Sequence, residues 1–375
     1  MDCVAPRIAI DARMVRITGI GRYTEELVCA EVRLGTRPTV FLTPNDAAWW
    51  HRRYPNVPFR ISSEPIYSWS EQLVLPARLA RERFDLVHFA NFNVPLTYRG
   101  PFVVTIHDTI PLKFAGERRT SALARQTYLK LLQATLERAQ RVIVPSLQVR
   151  DELAEISDIS RVVVIPHGIS DGYFDPATTP AEAAQVFARY RITAPYALYV
   201  GNFRAHKNVL TLVKAFAKMR ESIPFAELVL TGPITSKQLQ ALRSSLPGSV
   251  AQQVRLTGPV AEADLRVLYD AARLFILPSL AEGFGLPALE AAARGTAVIA
   301  AATTPVREFL HDAVLTFDPQ NVEQLADAMV ILWTNQELRR RQALKARSLA
   351  LRRGWADVAR ETLEAYGRAL VRREA

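Results

Sequence analysis

The sequence predicts an α/β protein made of two doubly wound, Rossmann-like parallel-sheet domains. Three observations carry this. Short apolar runs alternate with longer amphipathic ones, the pattern of strand–helix–strand crossovers rather than hairpins. The alternation pauses in a stretch rich in Pro, Thr and Ala, residues 170–194, and then restarts. The length of 375 residues suits two cores better than one. The expected division is therefore 1–175 and 176–355.

Taken in order, residues 7–11 read as a first strand. A glycine loop, Thr18-Gly19-Ile20-Gly21-Arg22-Tyr23, and a helix through Val32 follow. Further short buried strands are expected at 38–42, 86–90, 102–106 and 141–144, with helices at 71–81 and 121–139. In the second half the expected strands are 197–200, 227–230, 254–256, 274–277 and 297–300. The expected helices are 209–220, 237–244, 263–271, 287–294 and 322–333. The tail from Glu337 is helical and basic, and Leu363, Tyr366 and Leu370 at i, i+3, i+7 form its packing stripe. In such sheets ligands bind beyond the carboxyl ends of the strands, where the two domains are expected to face each other across a central cleft.

Composition narrows the class. Hydrophobic content of 49% and charged content of 22% are those of a soluble globular chain. No apolar run reaches the roughly 18 residues that span a bilayer. Asp2, Arg7 and Asp11 surround the first strand, unlike a secretory leader. Cys3 and Cys29 offer neither a disulfide framework nor metal spacing, so a cytoplasmic location is expected. Net charge is +10. Residues 113–141 hold seven basic against two acidic side chains, and 337–375 hold eleven against five. No nucleic-acid motif accompanies this charge. Arg118, Arg119 and Arg125 share this segment with Leu123, Leu131, Leu132 and Leu136 at near-helical spacing, which suits either an interfacial helix on an anionic membrane or a core-facing leucine stripe with arginines in water.

The densest chemistry lies in Pro278-Ser279-Leu280-Ala281-Glu282-Gly283-Phe284-Gly285-Leu286-Pro287-Ala288-Leu289-Glu290. It leaves a strand and opens a helix. Glycines let the backbone approach a ligand, and free amides at a helix start attract anions. A strand–turn–helix uses the glycines for packing but has no need of two glutamates. Lys207 and Arg204 sit after another strand and glycine turn, at a second helix start, where cations suit a diphosphate. His107 follows the strand at 102–106. Gly19-Ile20-Gly21 lacks a third glycine, since Thr24 stands there, and no acidic residue ends the second strand; a nicotinamide site is disfavoured. Asp-x-Asp is absent and no histidines pair at i, i+3 or i+4, so no metal site is expected.

The Glu282–Glu290 segment resembles the E-x7-E signature of the retaining GT-B glycosyltransferases of family 4. Tyr199-Val200-Gly201-Asn202-Phe203-Arg204-Ala205-His206-Lys207-Asn208 is similar to the turn that opens the family's donor domain, with His206 where arginine is common. Leu256-Thr257-Gly258-Pro259-Val260 looks like the turn beside the nucleotide base, and Trp355-Ala356-Asp357-Val358-Ala359 like the last helix. The resemblance implies a nucleoside-diphosphate sugar as co-substrate, no further cofactor, and a last helix, about 356–375, packed on the N-terminal domain. It makes His107 and Glu282 the catalytic residues. It makes Gly19, Arg204, Lys207, Val260, Gly283, Phe284, Gly285, Leu286 and Glu290 donor-binding. Gly-Ile-Gly-Arg-Tyr and His-Asp-Thr-Ile-Pro look most like bacterial mannosyltransferases of exopolysaccharide and O-antigen assembly. GDP-mannose is then the favoured donor, ahead of UDP and dTDP sugars, and a polyprenyl-diphosphate-linked glycan the expected acceptor. A sugar-nucleotide epimerase and a non-catalytic subunit of an assembly complex are the alternatives.

Overall fold

The computed structural model describes residues 5–114, 122–193, 195–246 and 248–371. The chain divides into two compact units, Met1–Gly168 with Gly354–Ala375, and Ile169–Arg353.

The N-terminal unit is built on a seven-stranded parallel sheet, ordered β3-β2-β1-β4-β5-β6-β7. Its strands are β1 (Ile8–Asp11), β2 (Thr39–Leu42), β3 (Phe59–Ile61), β4 (Leu86–Phe89), β5 (Phe102–Thr105), β6 (Arg141–Val144) and β7 (Val162–Val164). Every residue of β4 and β5 is buried, because helices cover both faces. Alternate side chains serve opposite cores. Val87, Phe102 and Val104 pack with Leu75, Leu132, Leu136 and Leu153. Leu86, Val103 and Ile143 pack with Tyr23, Leu27 and the last helix, Trp355–Val371. That helix presents Tyr366, with Leu363 and Leu370 flanking it, to the sheet.

Two expectations change here. The glycine stretch is helical, since the helix runs Thr18–Arg33. Gly21 rather than Gly19 is the sterically required glycine: a Cβ on it would lie 2.3 Å from the Val15 carbonyl oxygen, while Gly19 faces open space. The basic helix, Ala122–Arg138, turns Leu132 and Leu136 into the core at 0% and 3% exposure. They are therefore not an apolar stripe for a membrane. Arg118, Arg119 and the side chain of Leu123 lie outside the described residues.

The C-terminal unit has a six-stranded parallel sheet, ordered β10-β9-β8-β11-β12-β13. Its strands are β8 (Tyr196–Val200), β9 (Glu227–Thr231), β10 (Val254–Gly258), β11 (Leu274–Leu277), β12 (Ala297–Ala301) and β13 (Leu315–Phe317). The order reverses between β8 and β11, so the loops leaving these two strands lie side by side.

The division falls at Gly168 and Gly354 rather than at the expected 175 and 355. Ile169 and Tyr173 are core residues of the C-terminal unit. Arg294 donates to the carbonyls of Asp175 at 2.8 Å and Pro176 at 3.0 Å. Asp270 accepts both the amide and the hydroxyl of Thr178, at 2.7 and 2.6 Å. The supposed linker also contains a helix, Pro180–Tyr190, started by a Thr179–Glu182 capping box with proline at the first helical position.

Candidate functional site

The turn leaving β8, residues 201–208, and the turn leaving β11, residues 278–285, are cross-linked. The Leu280 amide donates to the His206 carbonyl at 2.7 Å. Asn208, left-handed at φ 54°, donates through Nδ2 to the carbonyls of Pro278 at 3.1 Å and Pro319 at 2.8 Å. Between these clamps Lys207 Nζ meets Glu282 Oε1 at 2.7 Å, with the side chains 17% and 11% exposed. Ser279 Oγ donates to the same carboxylate oxygen at 2.6 Å.

His206 is buried beside this pair. Burial, reinforced by the Lys207 charge, lowers its pKa to about 4, so it is neutral at pH 7. The cationic charge of the turn therefore rests on Lys207 and on Arg204, which is exposed and whose amide is fixed by Asn202 Oδ1 at 3.2 Å.

Gly285 takes φ 89° and opens the helix Leu286–Ala293. A Cβ there would lie 2.7 Å from Val306 Cγ2, so the position requires glycine. Phe284 is 4% exposed with its ring 4.6 Å from that of Phe309. What Phe284 offers a ligand is thus backbone, as do Gly283 and Leu286 on the same turn. Glu290 lies one turn into the helix at 2% exposure, where the Tyr269 hydroxyl donates to Oε2 at 3.0 Å. The two glutamates therefore occupy different settings, one in an ion pair near water and one interior. Val260, past the end of β10, is partly buried against the same core.

Two expected residues belong to the N-terminal unit. Gly19 is exposed in the first turn of its helix. His107, partly exposed after β5, has Nε2 2.8 Å from the Ala90 carbonyl oxygen. A carbonyl only accepts, so Nε2 carries the hydrogen. Burial lowers the His107 pKa to about 4, against a partial rise from that hydrogen bond. The ring is then neutral, and Nδ1 is an acceptor. Tyr23 packs edge-on at 4.8 Å. The Tyr23 hydroxyl meets Thr105 Oγ1 at 2.9 Å, Thr105 meets His88 Nε2 at 2.8 Å, and His88 Nδ1 meets the Tyr366 hydroxyl at 2.6 Å. Glu31 is buried, and burial pushes its carboxyl up to about 8.

Sequence reasoning missed Ser279, Asn208 and Tyr269. The Ser-x-x-Glu spacing of Ser279 and Glu282 is a readable signal for a hydroxyl–carboxylate contact. Asn208 lies in the quoted turn but its clamping role depends on partners distant in sequence, as does that of Tyr269.

Chemically, a lysine and a carboxylate that hold each other at the rim of a glycine turn can each exchange partners. The ammonium can pass to an anionic leaving group and the carboxylate to a developing positive charge. Residues 186–349 match the family Glycosyl transferases group 1, and residues 17–172 match Glycosyltransferase Family 4. O-antigen chain mannosyltransferase B of Escherichia coli is 29% identical over 375 residues, covering 93% of this chain and 96% of that protein. D-inositol 3-phosphate glycosyltransferase of Kineococcus radiotolerans is 30% identical over 332 residues, covering 80% of this chain and 75% of that protein. The structure of Anabaena Alr3699/HepE in complex with UDP-glucose superposes with a TM-score of 0.78 at 18% identity, covering 97% of this chain and 100% of that one. Sheet order, the clamped turns and these matches agree, and the chain belongs to the group 1, family 4 glycosyltransferases of GT-B fold.

Proposed function

We propose that this enzyme transfers mannose from GDP-mannose, with retention of configuration, to a glycan on a polyprenyl diphosphate or to a free oligosaccharide, in the assembly of a bacterial surface polysaccharide such as O-antigen. The observation that carries the reading is the Lys207–Glu282–Ser279 cluster, clamped beside a helix that starts at a left-handed glycine and holds Glu290. The similarity to an O-antigen chain mannosyltransferase of E. coli supports the choice of sugar and product.

In this reading Lys207, Arg204 and the amides of 283–286 bind the diphosphate without a metal. Glu290 holds the ribose. Glu282 faces the sugar and stabilises oxocarbenium-like charge as the glycosidic bond breaks. The departing phosphate takes the acceptor proton from the same face, which keeps the anomeric configuration. His107, neutral and presenting Nδ1, accepts a hydrogen bond from a sugar hydroxyl. Val260 borders the base, and Gly19 leaves room for the donor. A polyprenyl carrier would bring the protein to the inner face of the membrane as a peripheral enzyme. The test supplies GDP-mannose, UDP-glucose and dTDP-glucose in EDTA, with a mannose-terminated acceptor, and reads the product anomer by NMR. Transfer from UDP-glucose alone removes the donor assignment, and an inverted anomer removes retention.

A further inference from the structure

Tyr67 has an unusual backbone. It is left-handed at φ 65°, a conformation that side chains other than Gly, Asn and Asp rarely adopt. Core packing does not explain it, because the residue is 65% exposed. Its amide is nevertheless fixed by Glu71 Oε2 at 2.7 Å. Glu71 is itself buried, bonded to Arg13 at 2.6 Å and to Asn93 Nδ2 at 3.0 Å. The fold thus commits a buried charged network to holding one strained, exposed aromatic residue.

The surroundings of that ring are chemically specific. Phe92 lies 6.1 Å from it, inclined by 30°, and Tyr128 lies 4.8 Å beyond, edge-on to Phe92. Asn91, next to Phe92 in the chain, donates through Nδ2 to Asn93 Oδ1 at 2.9 Å. Asp108 accepts the Ile110 amide through Oδ1 at 3.0 Å, and, after burial as the main cause, its charge helps raise the pKa of both phenols, Tyr67 and Tyr128. Asn91 and Asp108 leave the carboxyl ends of the adjacent strands β4 and β5, and Asp108 directly follows His107. A pyranose has an apolar C–H face that stacks on an aromatic ring and equatorial hydroxyls that bond amides and carboxylates. An exposed ring beside Phe92, with an amide at Asn91 and a carboxylate at Asp108 leaving adjacent strands, offers both requirements.

We propose that Tyr67, with Phe92, Asn91 and Asp108, is the subsite that binds the acceptor sugar. This rests on the glycosyltransferase reading and adds the residues that choose the acceptor. The site selects a pyranose by stacking and orients its hydroxyls next to His107.

The test uses the full-length protein saturated with GDP, and methyl α-D-mannopyranoside as probe in saturation-transfer NMR. Wild type is expected to give a signal that Tyr67→Gly loses and Tyr67→Phe keeps. Glycine suits the left-handed backbone, so Tyr67→Gly is expected to keep its Tm within about 2 °C, whereas loss of a packing residue would lower it. In turnover assays Tyr67→Gly should raise the acceptor KM at least tenfold and change the donor KM less than twofold. A missing signal in wild type, or one that survives in Tyr67→Gly, overturns the subsite. Failure of the enzyme to bind any nucleoside diphosphate is a different result, and it would overturn the glycosyltransferase reading instead.

Discussion

The two units each contain an ion pair beside a strand end, and the pairs are built for different ends. In the N-terminal unit Arg13 Nη2 lies 2.6 Å from Glu71, with both side chains 1% exposed, and 2.7 Å from Asp11. Burial disfavours the Arg13 charge, but Asp11 and then Glu71 outweigh it and raise its pKa. No competing ligand reaches such a pair cheaply. In the C-terminal unit Lys207 and Glu282 are 17% and 11% exposed and share their site with a hydroxyl. That pair touches water and can open. Burial thus separates a charge pair that shapes the backbone from one that can change partners, although the distances are nearly equal.

The comparison can be broken by four measurements. Arg13→Met should leave two carboxylates without their cation and destabilise the protein by about 3–5 kcal/mol. Urea melts check this; a loss below about 1 kcal/mol would place Arg13 among surface charges. Glu282→Gln should lower kcat by about a hundred- to a thousandfold, the scale of removing one preorganised charge-stabilising group, with Tm nearly unchanged. Wild-type turnover at saturating donor would end the role given to Glu282. Lys207→Ala should weaken binding of a nucleoside diphosphate by about 1.5–3 kcal/mol, with activity unaffected by EDTA. Calorimetry in EDTA reads this directly, and an unchanged Kd refutes it.

The smallest effect is a slope with pH. The Glu31 carboxyl is raised from 4.5 to about 8, so its stability contribution is full below pH 4.5 and is lost as pH rises toward 8, where the unfolded chain ionises first. His88, His107 and His206 act oppositely. Their pKa values are lowered by burial from 6.5 to about 3, 4 and 4, so stability falls as pH falls below 6.5. The Tm advantage of Glu31→Gln over wild type should therefore grow between pH 5 and 8. An advantage that stays constant with pH would mean that Glu31 is already ionised in the fold.

The same contrast explains what was legible in the sequence. Lys207, Glu282 and Glu290 lie in two short stretches, each contiguous in sequence, whose glycines and apolar flanks announce strand–turn–helix, so the C-terminal motif was legible. Arg13 and Glu71 meet across 58 residues, and no local pattern pairs them. The missed strands, β3, β7 and β13, have three residues each, too few to show a period of two. They also lie at sheet edges. The helix Pro180–Tyr190 was masked by its Pro-Thr-Ala composition, although Thr179-Pro180-Ala181-Glu182 carries a start signal. At Gly19 the glycines suggested a loop, because glycine is read as a breaker even where the first helical turn tolerates it.

The last helix has a consequence for biosynthesis. Trp355, Tyr366 and Ala369 complete the core around Tyr23 and Leu86, and the Tyr366 hydroxyl bonds His88 across 278 residues. A ribosome releases the first 168 residues long before that helix exists, while the unit from Ile169 to Arg353 is continuous. Translation therefore allows the second unit to finish first, against the usual N-to-C order of domain folding. A released chain ending at residue 353 should protect β8–β13 from protease and leave the face of β4 and β5 open, an exposed surface for a chaperone to hold.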